Sequence, residues 1–336
     1  MSDLTVEAKA FVRFGIIYAL LMLCYPKFLS AQRFLVFNNQ KDISSNLRAG
    51  DSSYFAGNFR GSVLSYDKIT AILYEEPVYL NQLQNQLAAA DISAAFLTLK
   101  AMTDSGFYRF WILDKDKIYQ KLATSTAFSA AHQRVTANFS RYLKNNKIRN
   151  PKLCREIMEM YHADQYYQWV GSFKTRYKTA YPEMSKKAVD SLTSNAFQHH
   201  TIKLKQIFKT HGYPWSNDIG KEATHYIWLM IQHADDDLPF QESYLKALKV
   251  AVEQQQASGL DLAYLTDRVR KNKKEKQIYG TQMEYKTIDD PVNGKTARMQ
   301  PWPVEDPDGL DERRKAVGLM PMDQYLEMIR KLNNNQ

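Results

Sequence analysis

Residues 75–108 read EEPVYLNQLQNQLAAADISAAFLTLKAMTDSGFY, and this stretch decides the fold. Pro77 breaks the helical pattern that precedes it, because its ring clashes with the preceding turn and it has no amide hydrogen. Tyr79 to Ala89 (YLNQLQNQLAA) then runs without Gly or Pro and reads as a helix. Asp91 is placed to cap a further helix by accepting from its free N–H groups. Ala95, Leu99 and Met102 recur on one face of that helix. Gly106 ends it, since glycine adopts the left-handed conformation that a helix C-terminus favours. Short helices joined by two or three residues bury their apolar faces against each other, so the chain is expected to be mainly α.

Working outward, Val63, Leu64, Ile69, Ile72 and Leu73 begin a helical pattern just after Ser62. Residues 32–60 are mixed and polar, with Gly50 and Gly57, and read as an irregular lead-in. Phe107 to Tyr119 is rich in aromatics, and Ala127 to Leu143 is another helix. Residues 61–145 are therefore expected to form one helical module. Within it, Glu75–Tyr108 resembles a tetratricopeptide unit: a proline closes the preceding helix, A-A-D-x-x-x-A falls at Ala89 to Ala95, and a glycine comes after the second helix. The resemblance covers at most one and a half repeats. Solenoids need about three, so a plain helical bundle stays open beside the helical-hairpin reading.

Length and composition bound the rest. At ~150 residues per domain, 336 residues suggest two domains. Hydrophobic residues at 44% and charged residues at 24% exclude wholesale disorder. Residues 1–31 differ in character from the remainder of the chain. Lys9 and Arg13 precede the uncharged run Phe14–Tyr25 (FGIIYALLMLCY), and Leu29-Ser30-Ala31 offers small residues before Gln32. This is the order of a signal peptide. A dozen apolar residues span only ~18 Å of a ~30 Å bilayer core, which disfavours an uncleaved anchor. The chain is therefore expected to be exported, periplasmic or secreted, and membrane-associated only if the signal stays attached. Cleavage after Ala31 removes three basic and two acidic residues, takes the formal charge from +9 to +8, and leaves Cys154 as the one cysteine. No internal disulfide then forms, and Cys154 reads as a buried helical residue. The basic segments Lys144–Arg155 and Arg270–Lys276 lack interleaved aromatics, so nucleic acid is not an expected partner.

Asn145–Pro151 reads as a linker, and residues 150–333 as a helical domain with a short extended insert. Helices are expected over Lys152–Val170, Met184–Thr210, Ile219–Ala234, Pro239 to about Ser258, Leu260–Arg270, Asp308–Val317 and Met322–Leu332. Lys276–Tyr285 has extended character. Residues 286–307, with four prolines, read as an irregular arm.

The densest polar group is Gln232-His233-Ala234-Asp235-Asp236-Asp237. Two readings stand. In one, His233 sits at a helix C-terminus, where the dipole favours a protonated imidazole, and an aspartate caps the next helix. In the other, His233 and Asp235 form an acid–base or metal site. His225, two turns earlier or ~11 Å, is too far to share an ion with His233. His162-Ala163-Asp164 echoes the H-A-D string, and two such strings would pair His and Asp across a bundle. His199, His200 and His211 read as surface residues. Asp267 and Arg268 point about 100° apart on a helix, so each needs another partner. In Gln277–Gln282, alternation places Tyr279 and Thr281 on one face and Gly280 and Gln282 on the other. A buried Gln282 requires partners. Walker, dinucleotide, H-E-x-x-H and G-x-S-x-G motifs are absent from the sequence.

Four strings occur in order: Q-H-A-D at 232–235, A-Y-L-T-D-R at 263–268, Q-I-Y-G-T-Q at 277–282, and L-D-E-R-R-K-A-V-G-L at 310–319 with Tyr325 beyond. Together with Asp164-Gln165 and Gly212-x-Pro214 they resemble the bacterial family catalogued as domain of unknown function 6624, over about residues 150–330. Tyr213 stands where that pattern has Trp, and Tyr166-Tyr167-Gln168 where it has a nearby Arg. The resemblance implies that His233, Asp235, Asp267, Arg268 and Gln282 converge, but it implies no reaction and no cofactor. The expected function is an exported cell-envelope protein, in which residues 61–145 bind a protein or peptide partner and a C-terminal domain carries a polar site. The alternative is a hydrolase-like enzyme, acid–base or metal-assisted, with His233, Asp235, Asp267 and Arg268 as catalytic candidates. Gln232, Tyr279 and Gln282 are the substrate-binding candidates, and no metal ligand is assigned.

Overall fold

A computed structural model describes residues 41–115, 118–290 and 294–334. The signal-peptide reading of residues 1–31 lies outside them. The described chain is mainly α, with thirteen α-helices and one two-stranded sheet. The helices are α1 (Lys41–Phe55), α2 (Phe59–Thr70), α3 (Glu76–Ala88), α4 (Ile92–Asp104), α5 (Phe110–Lys115), α6 (Thr126–Asn145), α7 (Pro151–Arg176), α8 (Lys186–His211), α9 (Ser216–Gln232), α10 (Leu238–Glu253), α11 (Gly259–Asn272), α12 (Leu310–Ala316) and α13 (Met322–Asn334). Strands β1 (Met283–Asp290) and β2 (Gly294–Pro301) lie between α11 and α12. Among the described residues, no helix is long and apolar enough to cross a membrane.

The contacts divide the chain into two compact units. Of the described residues, one gathers 41–148 together with 170–186; the other gathers 149–169 and 187 onward. The helix α7 thus gives its first part to one unit and its last turns to the other.

In the N-terminal unit, consecutive helices α1 to α4 pack on one another, and α6 packs on α4 and α5. The Asp91 carboxylate accepts from Ala94 N–H at 3.0 Å, and Gly106 takes φ +93° after α4. Residues 41–55 are helical rather than irregular. Gly50 reads as a breaker in the sequence, but in the fold it leaves space: a Cβ there would stand 2.6 Å from the Tyr66 ring. Ile43, Tyr66, Ile69 and Val78 form the local core, with Leu47 and Leu73 against it. The Asp51 carboxylate accepts from Tyr66 Oη at 2.6 Å and Tyr177 Oη at 3.3 Å, while burial raises its pKa. The Phe55 ring lies 5.3 Å from those of Phe173 and Tyr177 and 5.6 Å from that of Tyr181.

In the C-terminal unit, α9 is the central helix. Residues Ala223 to Gln232 are buried all the way round, not on one stripe alone. A helix enclosed on every side needs apolar residues around its whole circumference, which Ile227, Trp228, Leu229, Met230 and Ile231 supply. Gly220, at φ +84°, ψ 159°, breaks the first turn of α9. α10 and α11 pack on α9 and on each other, and α12 packs on α13. The arm expected over 286–307 is largely ordered: β1 and β2 pair antiparallel from Met283↔Pro301 to Asp290↔Gly294. Pro301 does not oppose this, because it only closes β2, where no further ladder bond is needed.

Candidate functional site

Asp164, on α7, has no exposed surface. Two imidazoles approach its carboxylate from different helices. His233 Nδ1, at the C-cap of α9, lies 3.2 Å from Oδ1 and 3.0 Å from Oδ2. His200 Nδ1, on α8, lies 3.4 Å from Oδ1. Gln165 Nε2 donates to Oδ2 at 2.8 Å and Gln168 Nε2 at 3.3 Å. Burial by itself would raise the pKa of Asp164. The charge of His233 and the hydrogen bonds of both histidines outweigh it and hold the carboxyl at about 2. An ionised carboxylate only accepts, so both Nδ1 atoms carry hydrogens. His233 Nε2 is the other end of the ring: it is buried and has no hydrogen-bond partner among the described residues. The Phe197 ring stacks on His233 at 4.3 Å.

The sequence therefore singled out His233, but its carboxylate comes from the other H-A-D string. His200 is buried, contrary to the surface reading, because α8 turns it onto Asp164; His199 beside it is exposed.

Asp235 binds Arg268 instead. The guanidinium grips it with two nitrogens: Nε lies 2.8 Å from Oδ1, and Nη2 donates to Oδ2. Such a paired geometry is the strong form of this contact. Asn272 Nδ2 donates to Asp235 at 2.9 Å and to Gln241 Oε1 at 3.1 Å. Arg268 Nη1 reaches Gln282 Oε1 at 3.4 Å. Asp237 caps α10 by accepting from Phe240 N–H at 3.2 Å, the capping role expected within Asp235–Asp237.

Asp267 holds the segment 278–281. Its carboxylate accepts from Ile278 N–H at 2.7 Å, Tyr279 N–H at 3.0 Å, Thr281 N–H at 2.9 Å and Thr281 Oγ1 at 2.8 Å. Burial raises its pKa against the pull of these donors. Gathering successive amides onto one carboxylate bends the chain, so Gln277–Gln282 is a loop and not the alternating strand expected. Gly280, at φ +68°, makes the bend possible. Arg314 braces the same loop from its carbonyl side, donating to Tyr279 O at 2.6 Å and Gly280 O at 3.4 Å over the Tyr325 ring. Gln282 is buried with partners, its backbone N–H donating to Gln277 Oε1 at 2.8 Å. Gln232, with its amide oxygen turned toward α11, accepts from Trp228 Nε1 at 3.2 Å and Leu265 N–H at 3.0 Å.

The seven candidate side chains thus enter separate local networks. Asp164, His200 and His233 form one. Asp235, Arg268 and Gln282 form a second, which Thr281 joins to Asp267 through Gln282 Nε2 at 3.3 Å. His225 makes another pair on the far side of two helical turns, its Nδ1 3.1 Å from Asp261 Oδ1. Cys154 is fully buried on α7, and burial pushes its thiol up to about 12. Among the described residues, no three His, Cys, Asp or Glu side chains are arranged to hold a metal ion.

Fold and site together define a mainly α-helical protein whose C-terminal domain buries histidine–aspartate pairs around a central helix. Residues 151–334 match the Family of unknown function (DUF6624), and the chain belongs to that family. No curated protein and no solved structure matches the chain.

Proposed function

We infer that the C-terminal domain is a hydrolase-like acid–base centre in which His233 moves the proton and Asp164 orients it. The observation that carries this reading is the Nε2 of His233, which has no partner among the described residues, on a ring whose Nδ1 is fixed by a buried carboxylate. A buried nitrogen without a partner costs stability, and the same arrangement is what a general base requires. Asp164 keeps the neutral ring in the tautomer with its lone pair on Nε2, and stabilises the imidazolium once a proton is taken. The proton comes from a water or a substrate hydroxyl reaching Nε2. The Phe197 ring stacks on the imidazole at 4.3 Å and holds its plane. In this reading Asp164 takes the orienting role expected of Asp235 or Asp267. Asp235 and Arg268 fix the chain just after α9, and Asp267 shapes the neighbouring loop.

Residues 1–31 support an exported, cell-envelope location for this activity. A binding role for the N-terminal unit fits beside it: Leu64, Ile72 and Leu97 are more than half exposed there, which supports contact with a protein or peptide partner. The test is hydrolysis of a panel of chromogenic esters, phosphoesters and peptides by residues 32–336. Wild-type protein is expected to turn over at least one class. His233→Gln and Asp164→Asn are expected to lose about 10²–10⁴-fold, the usual worth of a positioned acid–base group. Turnover unchanged in folded His233→Gln would overturn the assignment, as would a panel on which wild-type protein is inert.

A further inference from the structure

Arg314, on α12, is a buried cation that the acid–base reading does not use. Its side chain has no exposed surface. We propose that Arg314 Nη2 anchors a site for a small oxyanion, a carboxylate or a phosphate, beside the loop 279–281. The proposal does not rest on any role for His233.

Donors and charge carry the argument. A guanidinium offers five N–H donors in a fixed fork and no acceptor. Nε donates to Met320 O at 2.7 Å, and Nη1 donates to Tyr279 O at 2.6 Å and to Gly280 O at 3.4 Å. Nη2 carries the other two hydrogens; it is buried and has no hydrogen-bond partner among the described residues. The groups that touch Arg314 are neutral carbonyls and the Tyr325 ring, 4.8 Å from Cζ. A carbonyl satisfies an N–H but leaves the charge uncancelled. Two carboxylates act on the guanidinium from a distance, Asp311 and Asp267, and burial lowers its pKa against their pull. Asp267 is committed to three amides and a hydroxyl on the other side of the loop. Asp311 is exposed and accepts from Met322 N–H at 2.8 Å. A buried charge without a contacting counter-ion is strongly disfavoured. An oxyanion on Nη2 would cancel that charge and accept from the donors left over, in the charge-assisted bond that Arg forms with carboxylate and phosphate. The loop holds Nη1, and the turn between α12 and α13 holds Nε. That turn lies at the surface, with Met320 and Pro321 exposed, and is the short route from solvent to the guanidinium.

The test is the response of the protein of residues 32–336 to sodium phosphate, sulfate and acetate, each against sodium chloride at equal ionic strength. Two quantities are read: the thermal unfolding midpoint, and the side-chain ¹⁵N resonances of labelled arginine. At least one oxyanion is expected to move the Arg314 resonance saturably. Above saturation it is expected to raise the midpoint by about 2–4 °C per tenfold in concentration. A response to acetate alone assigns a carboxylate, and a response to phosphate and sulfate assigns a phosphoryl-like group. Arg314→Met keeps an unbranched stem over Tyr325 and removes the charge, and its midpoint is expected to lose this dependence. An Arg314 resonance unmoved by all three ions overturns the proposal, whether or not Arg314→Met folds. So does a midpoint that rises equally in wild type and Arg314→Met, which is the general stabilising effect of such salts.

Discussion

His233 and Asp164 lie 69 residues apart in sequence and 3.0 Å apart in the fold, and the two buried aspartates that bind histidines respond to pH in opposite ways. Asp164 is held at about 2, below its unfolded value near 3.9. The folded state then releases this proton more readily than the unfolded chain. Its contribution is present above pH ~4 and is lost as pH falls toward about 2, at roughly 2–3 kcal/mol in all. Asp261, paired with His225, is raised by burial. The folded state holds that proton more tightly, so its effect is a loss of stability as pH rises through its folded value. Urea unfolding across pH 2.5–7 is expected to show Asp164→Asn losing the acid-dependent part of the wild-type curve. Asp261→Asn is expected to gain relative stability toward neutral pH. Acid profiles that stay parallel to wild type in both variants would show that neither carboxylate is perturbed as described. Part of this pairing was legible in the sequence. The echo of H-A-D at 162–164 and 233–235 pointed to His and Asp meeting across helices. Which string supplied which member was not legible, because Asp235 is as close to His233 in sequence as Asp164 is in space.

At the scale of elements, periodicity served the long apolar helices well and failed where one residue carries a tertiary contact. The segments around α4, α9 and α11 announced themselves by spacing, and α4 also by its Asp91 cap. The helix α1 did not, because a mixed, polar stretch with Gly50 and Gly57 read as irregular, and Gly50's reason for being glycine is the Tyr66 ring. The loop 277–282 was misread for a related reason: its shape is imposed by Asp267, a residue ten positions upstream, and alternation cannot report that. The candidate Asp267 is in this sense a structural residue of the site. Replacing it by Asn leaves one acceptor oxygen where three backbone amides and a hydroxyl now converge. Hydrogen bonds to a charged group are worth about 1.5–3 kcal/mol each, and Arg314 still braces the carbonyl side of the loop. Asp267→Asn is expected to cost about 3 kcal/mol of stability. It is also expected to speed amide exchange of Ile278, Tyr279 and Thr281 more than tenfold, with the amides of α9 much less affected. Unchanged exchange at these three positions would show that Arg314 and Tyr325 alone hold the loop.

For the whole molecule, the matched family segment and the compact units do not coincide. The match begins at residue 151 and runs without interruption to 334. The residues 170–186 inside it belong, by their contacts, with residues 41–148. Their aromatic side chains Phe173, Tyr177 and Tyr181 surround Phe55 of α1, and Tyr177 Oη reaches Asp51 on the same helix. A chain cut at the linker near residue 150 keeps these three aromatics and loses what covers them. Burying a large side chain of this kind stabilises by about 1.5–3 kcal/mol, and the buried carboxylate Asp51 goes with the removed piece. A fragment of residues 149–336 is therefore expected to bind a hydrophobic dye and to aggregate, while residues 32–336 do neither. Phe173→Ser, Tyr177→Ser and Tyr181→Ser introduced together should restore a soluble fragment, since they remove the uncovered surface without touching Asp164, His200 or His233. If the unmodified fragment is soluble and dye-silent, the C-terminal domain closes on itself without the N-terminal helices. Residues 170–186 would then have a second packing partner within the family segment.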